Sequence, residues 1–416
     1  MDTQLNHSRK ERIQGGTLVL LISISAAIGL WMTRTLSPKV DESFHYKQIR
    51  MFISGEWEML QFPPNPYPFF AMIPGYHAVA ALLFRAGDVT HPMWYRGLST
   101  LSGAGVFVAS WLIGRRLDPP SSVLRAAQVF FIPLSFPFFF LVYSDTFSLL
   151  VWVAALAATL AGGYTVGGGF GLASLLVRQN SIPIVGCVGL AGMLKPEGTI
   201  FDRSTWQFSP RRWAPFVPAI VFFIGFVAWN GRIPLCHPKM QQSTISWGNL
   251  LFALSMTSLW VLPIQIRLLP DILAFIRRAP WASIAVTVVL AVGVGGYTVT
   301  DERNLDCPEL LRNYVLLFLV SGFWPRVILW VLASWAGLSL LATRWTHPAG
   351  QLTIPLWVAC LVPVGLVEPR YYIPLVAWQL LFRQHFEHRW EWAQLGVFVL
   401  LSAIVHWVHT NTYFLL

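Results

Sequence analysis

Residues 17–32, TLVLLISISAAIGLWM, decide the fold class of this chain. The stretch carries no charged side chain and approaches the length of about 20 residues that a membrane-spanning helix needs. Similar apolar stretches recur along the whole chain, and the longest, 310–342, contains Pro325, which breaks a helix. We therefore predict an all-α polytopic membrane protein with about 11 to 13 transmembrane helices. The other apolar stretches are 69–84, 97–113, 126–143, 146–161, 170–194, 214–229, 247–266, 281–299, 351–367, 371–382 and 395–411.

The composition supports the same class. Of the 416 residues, 55% are hydrophobic and 12% are charged, which is about half the charged share of a soluble domain. The 20 Trp, 29 Phe and 11 Tyr are more than one buried core requires, and they suit helix ends anchored at membrane interfaces. These features exclude a soluble enzyme, a disordered chain and a fibrous protein.

The net charge of +10 comes from basic residues in short loops, such as the pairs at 115–116, 211–212 and 277–278. In a membrane protein such residues set the orientation and contact lipid headgroups. We therefore predict membrane lipid, and no nucleic acid, as a partner. The four cysteines lie far apart without C-x-x-C spacing, so they predict neither a disulfide framework nor a zinc site.

Residues 1–16 form a polar tail before the first apolar stretch, and residues 34–68 form the longest polar stretch after it. No small-residue cleavage site follows, so we expect an uncleaved first span rather than a signal peptide. Basic residues flank both sides of that span and favour a cytosolic tail only weakly. Within 34–68, apolar and polar residues interleave between Phe44 and Phe52, which predicts a short helix along the membrane surface.

The sequence Asp41-Glu42-Ser43-Phe44-His45 opens this polar stretch. Two adjacent carboxylates and a histidine near a membrane interface can supply a general base, whose pKa partial burial raises. The same residues fit a plain helix start, because Asp before a helix is a common N-cap. The residues alone leave both interpretations open.

Together with Gln48, this cluster resembles the D-E-x-F-H-x-x-Q signature of the dolichyl-phosphate-glucose-dependent α-1,2-glucosyltransferases. Further patches resemble motifs of that family in the same order. The segment LCHP at 235–238 resembles its histidine-bearing loop, without the Asp and Lys of the family pattern. The remaining patches are IPGY at 73–76, YSD at 143–145, VRQNSI at 177–182, WNG at 229–231 and LVEPRYYIP at 366–374.

The resemblance implies a GT-C glycosyltransferase with one transmembrane domain over 17–416 and an active site in a first luminal loop at 34–68. It implies an enzyme of the endoplasmic reticulum membrane that moves glucose from dolichyl-phosphate-glucose to the terminal glucose of a lipid-linked oligosaccharide for protein N-glycosylation. The implied transfer is inverting and forms an α-1,2 linkage, without a cofactor. The sequence has no D-x-D, the carboxylate pair that commonly holds a metal ion on nucleotide sugars, which favours a lipid donor and no metal.

Asp41 is the candidate base and Glu42 the adjacent alternative, while His45 is expected to orient or bind the acceptor. Arg178 and Arg370 are candidates for the donor phosphate, because a guanidinium matches phosphate oxygens. A lipid headgroup or a nearby carboxylate would be their ordinary partner. The other substrate-binding candidates that the resemblance supplies are Gln48, Tyr76, Asp145, Gln179, His237, Glu368 and Tyr371.

Three alternatives stay open at this level. A diverged relative that uses another polyprenyl-phosphate sugar fits the same patches. A secondary transporter or lipid flippase fits the hydropathy equally well, although no internal repeat of the kind common in transporters is evident. A non-catalytic subunit of a membrane complex would leave the first-loop carboxylates dispensable. His406 and His409 lie three residues apart, and without a third ligand we interpret them as packing residues.

Overall fold

The structure, a computed structural model, describes residues 2–38, 41–56, 72–85, 91–231, 233, 245–305 and 311–411, leaving aside the side chains of 2–14, 311 and 312. Throughout these ranges the chain forms α-helices, turns and short 3-10 segments without a β-strand, which confirms the all-α prediction. The chain divides into two compact units. Unit 1 comprises Met1–Phe131, Ser135–Gly192 and Pro210–His237, and unit 2 comprises Ile132–Leu134, Met193–Ser209 and Pro238–Leu416.

The described residues of unit 1 form ten helices. The first begins at Asp2, so that the polar tail predicted for residues 1–16 is continuous with the first span. The helices are α1 (Asp2–Thr33), α2 (Asp41–Ile53), α3 (Gly75–Phe84), α4 (Pro92–Leu117), α5 (Ser122–Phe130), α6 (Ser144–Leu160), α7 (Tyr164–Val177), α8 (Ile182–Met193), α9 (Pro210–Trp213) and α10 (Val217–Asn230).

Unit 2 contains nine helices in the part of the chain that the structure describes. Four of them lie before the undescribed residues 306–310, namely α11 (Gly248–Trp260), α12 (Leu262–Arg278), α13 (Pro280–Gly296) and α14 (Glu302–Leu305). Those after these residues are α15 (Leu311–Val320), α16 (Phe323–Ala342), α17 (Thr353–Leu361), α18 (Ile373–Phe382) and α19 (His388–Asn411).

Among the described residues, five helices are long and apolar enough to cross a membrane, and counting the bent pair α11–α12 as one span raises the number to six. The five are Gly15–Thr33, Pro92–Leu117, Pro210–Asn230, Phe323–Ala342 and His388–Asn411. The polytopic class is thus confirmed, but the count is lower than the predicted 11 to 13. Several apolar stretches divide into helices too short to span. The stretch 170–194, for example, is interrupted at Arg178–Gln179 between α7 and α8.

The helices of unit 1 run between two ends, one of which is rich in arginine. At this end the Arg116 guanidinium donates to the Leu160 carbonyl, where α6 finishes, over 3.2 Å. Arg212 donates to the Gly192 carbonyl in the last turn of α8 over 3.1 Å, and its guanidinium lies 5.4 Å from the Tyr164 ring, where α7 begins. We call this region, with Arg115, Arg116, Arg211 and Arg212, the arginine end. The sequence-predicted cluster lies at the opposite end of the same helices.

Candidate functional site

Helix α2 carries the Asp-Glu-Ser-Phe-His cluster and begins at Asp41. Two carboxylates in its first turn, Asp41 and Glu42, are favourably placed at the positive end of the helix dipole. Ile49 and Phe52 are 0% and 1% exposed and belong to a core cluster with Tyr76 of α3. The predicted short helix is therefore present, and its apolar face packs on α3 within unit 1.

Glu42 and Arg96 form a buried ion pair between α2 and α4. Arg96 Nε and Nη2 each lie 2.8 Å from one oxygen of the Glu42 carboxylate, and the side chains are 0% and 2% exposed. Glu42 also accepts from the Val142 amide, while Arg96 donates to the Thr33 and Leu36 carbonyls. A bidentate, fully hydrogen-bonded pair of this kind is strongly held. Glu42 therefore links α1, α2, α4 and the segment before α6.

Asp41 lies one residue before Glu42 and points in another direction, since successive side chains on a helix diverge by about 100°. Asp41 is half-buried, and His45, one turn later, lies on the same helical face. The His45 Nδ1 atom is 2.7 Å from His77 Nε2 of α3, with the two rings stacked. The Tyr143 ring is tilted against His45 at 5.2 Å. The half-buried carboxylate thus shares its face with a positioned imidazole.

His77 is buried at the start of α3, whose ten residues are too few to span a membrane. Burial, reinforced by the neighbouring His45, lowers the pKa of His77 well below its usual range. Burial therefore favours the neutral form of the His77 ring, and one of the two facing nitrogens donates the hydrogen that they share. This hydrogen bond fixes the orientation of His45 relative to α3.

Asp145 and Arg178 form a second buried ion pair in unit 1. Arg178 Nη1 lies 2.6 Å from Asp145 Oδ1, and the side chains are 10% and 5% exposed. Arg178 stands in the extended residue between α7 and a 3-10 turn, and its Nε also reaches Met72 Sδ. The adjacent Gln179 accepts from the Ile73 amide and donates to the Ile233 carbonyl, each over 3.0 Å. The sequence-predicted pair Arg178-Gln179 therefore fastens the chain before α3 and after α10.

Gln48 and Tyr76 complete the predicted residues of unit 1. The Tyr76 side chain is buried, and its hydroxyl lies 3.4 Å from Ser99 Oγ, which is the geometry of a core residue. Gln48 is 2% exposed, and its amide nitrogen has no hydrogen-bond partner among the described residues. Buried amide groups are rarely left without a partner, so Gln48 is the better candidate for a substrate contact.

Glu368, Arg370 and Tyr371 belong to unit 2 and lie at the short 3-10 turn Pro369–Tyr372, directly before α18. The Glu368 carboxylate is buried and pairs with Arg370 over distances of 3.2 and 3.4 Å. The pairing uses the Nε–Nη2 edge of the guanidinium, and the Arg370 side chain is 18% exposed. Tyr371 is half-buried. His237 falls outside the residues that the structure describes.

Arg96 and His77 are not among the residues that the sequence predicted, although they hold Glu42 and His45 of α2. Arg96 immediately precedes the apolar stretch 97–113, and an ionised residue there signals a partner. Nothing local identifies that partner, because Glu42 is 54 residues away. Within the described ranges no three His, Cys, Asp or Glu residues form a group that could hold a metal ion.

Residues 35–195 match the DIE2/ALG10 family, the family of dolichyl-phosphate-glucose α-1,2-glucosyltransferases. No curated protein and no solved structure matches the chain. The match is shorter than half of the chain, but it contains the whole described site of unit 1, from Asp41 to Gln179. It implies a glycosyltransferase that uses lipid-linked substrates in a membrane. The resemblance of the first-loop cluster is thereby confirmed, and the segment 35–195, with the candidate site that it contains, is similar to the DIE2/ALG10 family.

Proposed function

We propose that this protein transfers glucose from dolichyl-phosphate-glucose to the terminal glucose of a lipid-linked oligosaccharide for protein N-glycosylation. The observation that carries the proposal is the family match over 35–195. The same segment contains the first-loop cluster and the buried Asp145–Arg178 pair, both in unit 1. Composition and fold agree with a substrate that stays in the membrane.

The reaction breaks the bond between glucose C1 and the phosphate oxygen and forms a bond from C1 to the acceptor 2-hydroxyl oxygen. The electron pair of the broken bond leaves with the lipid phosphate, and the acceptor proton passes to a base. Attack from the face opposite the phosphate inverts the β-linked donor to an α-1,2 product. The protein must therefore supply a base and cationic groups beside the leaving phosphate, and we propose that it does so without a metal ion.

Asp41 is the proposed base. Of the two carboxylates that begin α2, Glu42 is committed to Arg96 and the Val142 amide, whereas Asp41 is half-buried on the face of His45. Protonation of Glu42 in the reaction would also weaken a buried ion pair. We assign to His45, held by His77, the orientation of the acceptor hydroxyl.

Arg178 is the proposed phosphate ligand in unit 1, and Arg370 of unit 2 is kept as an alternative candidate for that role. A guanidinium has five N–H donors, so pairing with Asp145 leaves Arg178 capacity for phosphate oxygens. The buried Gln48 amide is the proposed contact to a sugar hydroxyl. Tyr76 and Gln179 support the site by packing and by backbone hydrogen bonds, and we retain Tyr371 and His237 as candidate sugar contacts.

We propose the endoplasmic reticulum membrane as the location, with the site on its luminal side. A lipid-phosphate sugar is the donor that a compartment without nucleotide sugars requires. Helix α4 separates the first-loop site from the arginine end, which suits one end on each side of a membrane.

The test is transfer by the purified protein, with a chelator present, from radiolabelled dolichyl-phosphate-glucose to a diglucosylated lipid-linked oligosaccharide. Wild type should transfer glucose, and Asp41→Asn should lose at least about 100-fold in kcat, the usual contribution of a general base. Asp202→Asn is the matched control, because Asp202 caps an exposed turn in unit 2. It should retain wild-type activity.

Other outcomes discriminate among the alternatives. Full activity of Asp41→Asn would remove Asp41 as the base and direct the same test to Glu42. Transfer only from another polyprenyl-phosphate sugar would retain the enzyme class and change the donor. Failure of wild type with every lipid-phosphate sugar would contradict the proposal and favour a transporter, which flux into liposomes would detect.

A further inference from the structure

The arginine end of unit 1 brings together four guanidinium groups from two parts of the chain. Arg115 and Arg116 lie in the last turn of α4, and Arg211 and Arg212 lie in α9. The first three side chains are exposed, and Arg212 is half-buried. In the part of the chain that the structure describes, none of the four forms an ion pair. The region therefore carries positive charge that the fold does not neutralise.

Two of these guanidinium groups are fixed on either side of the turn that joins α6 to α7. Arg116 donates to the carbonyl of Leu160, the last residue of α6, over 3.2 Å. Arg212 lies 5.4 Å from the ring of Tyr164, the first residue of α7, and donates to the Gly192 carbonyl over 3.1 Å. Each guanidinium has five N–H donors, so both groups retain donors for an anion at this turn.

The rest of the arginine end is also held by packing. Phe216, three residues after α9, is 4% exposed. A Cβ on Gly189 of α8 would lie 3.2 Å from the Phe216 ring, so this glycine allows the close approach. On α4, the Arg115 guanidinium lies 5.2 Å from the Trp111 ring. Because the arginines are positioned before any ligand arrives, binding loses little conformational entropy.

An exposed apolar stripe leads away from the arginine end along α7. Val166 and Phe170 are 56% and 40% exposed and lie one turn apart on the same face. Between them, Gly169 leaves the surface bare, since a Cβ there would meet nothing within 4 Å. A hydrocarbon chain gains free energy by packing on such a surface, whereas a soluble anion does not.

The charge and the stripe together indicate one class of ligand. Asp118, which follows α4, is paired with Arg125 over 2.9 Å and leaves the four arginines unneutralised. Basic groups beside a bilayer attract anionic headgroups. A molecule with an anionic headgroup and a hydrocarbon chain complements both features, and in a membrane that molecule is an anionic phospholipid.

We propose that the arginine end is a saturable binding site for one anionic phospholipid, whose headgroup binds at the α6–α7 turn and whose chain packs along Val166 and Phe170. The site differs from diffuse attraction of loop charges to a membrane, because its arginines are fixed by helix ends and rings. It does not rest on the proposed function, and it lies at the opposite end of unit 1 from the first-loop cluster.

The test is native mass spectrometry of the purified full chain in a neutral detergent, titrated with phosphatidylserine or phosphatidylcholine. The first phosphatidylserine should bind saturably and at least about 25-fold more tightly than phosphatidylcholine, since each of two arginines beside a headgroup contributes about 5-fold. The double variant Arg116→Gln/Arg212→Gln should lose this preference. Equal affinity of the two lipids for wild type, or an unchanged preference in the double variant, would overturn the proposal.

The matched control is Arg277→Gln/Arg278→Gln, which removes the same charge from two exposed positions in the last turn of α12. It should keep the wild-type preference. An equal loss in this control would mean that net charge alone attracts the lipid, and the proposal would be wrong. If Arg116→Gln/Arg212→Gln does not fold, Arg115→Gln/Arg211→Gln takes its place and should also lower the preference. An unchanged preference there would count against the site.

Competition distinguishes a phospholipid from other anions. Neither inorganic phosphate nor glycerophosphoserine, which is the headgroup without its chains, should displace the bound phosphatidylserine when added in large excess. Displacement by either would indicate a site for soluble phosphates, and displacement by duplex RNA would indicate a nucleic-acid surface. Each of these results would overturn the proposal. None depends on whether the protein transfers glucose.

Discussion

The Glu42–Arg96 pair illustrates how adjacent residues in the sequence acquire different roles. Asp41 and Glu42 are chemically similar and lie in the same helical turn. Helix geometry directs Glu42 to Arg96 in the core, whereas Asp41 remains half-buried beside the face of His45. The carboxylate that is hydrogen-bonded by charged and backbone donors stabilises the packing of α2, and its neighbour is the one that we propose as the base.

At this scale we predict that Arg96→Leu lowers the free energy of unfolding by about 3 to 5 kcal/mol, because it leaves the Glu42 charge buried without its partner. The measurement is the unfolding midpoint of the purified protein in detergent. Arg344→Leu is the control, since Arg344 is 75% exposed and its pairing with Asp271 should contribute at most about 1 kcal/mol. Adding Glu42→Leu to Arg96→Leu should restore part of the loss. Equal small losses in Arg96→Leu and the control would contradict the assignment of a buried pair.

At the scale of the element, α7 depends on glycines for its close packing. A Cβ on Gly168 would overlap the carbonyl oxygen of Pro215, in the turn that leads into α10, whereas a Cβ on Gly169 would meet nothing within 4 Å. Gly168 therefore faces a closely packed backbone, whereas Gly169 faces open space. The close approach brings α7 and α10 together, and the ends of these helices lead to Arg178 and to Ile233.

We expect Gly168→Ala to lower the free energy of unfolding by about 1 to 3 kcal/mol, because the added methyl overpacks a backbone contact. Gly169→Ala in the same helix should be neutral or stabilising by up to about 1 kcal/mol, since alanine is the better helix former. Unfolding in detergent measures both. Loss of stability in Gly169→Ala as large as in Gly168→Ala would indicate a general intolerance of α7 rather than this contact.

At the scale of the whole molecule, the described helices of unit 1 place the first-loop cluster and the arginine end apart. Arg96 and Arg116 both lie on α4 and are separated by about 20 residues, or about 30 Å of helix, which equals the thickness of a bilayer core. The N-terminal half of α1 carries Arg9, Lys10 and Arg12 in its sequence. The charges that flank the first span did not determine the orientation of the chain in the membrane. Because α4 is long enough to cross a bilayer, labelling one position at each end of unit 1 would determine that orientation.

We predict that the arginine end faces the cytosol and the first-loop cluster the lumen. In a variant with the four cysteines changed to serine, Ala161→Cys at the end of α6 should react with a membrane-impermeant maleimide in sealed microsomes. Ser54→Cys, just beyond α2, should react only after permeabilisation. Both positions are exposed. The reverse pattern would refute the luminal site, and labelling of both without permeabilisation would refute α4 as a span.

The sequence by itself determined the fold class, because helices that carry long uncharged stretches are stable in lipid whatever their neighbours are. It also identified the first-loop cluster and the Arg178-Gln179 patch through the resemblance that the family match confirms. In the described residues five or six helices are long enough to span, fewer than the predicted 11 to 13, since hydropathy does not reveal where a polar turn such as the one at Arg178 divides an apolar stretch into two short helices.

Only the tertiary structure decided which residues meet. Glu42 and Arg96, His45 and His77, and Asn249 and Glu368 are brought together across 54, 32 and 119 positions of the chain. Pairings of this length leave no periodic signal, because hydropathy and helix propensity act over one or two turns while a buried hydrogen bond depends on the direction of a side chain in the packed core. Composition therefore indicated that the chain is a membrane protein, and packing showed which of its polar groups meet in the folded chain.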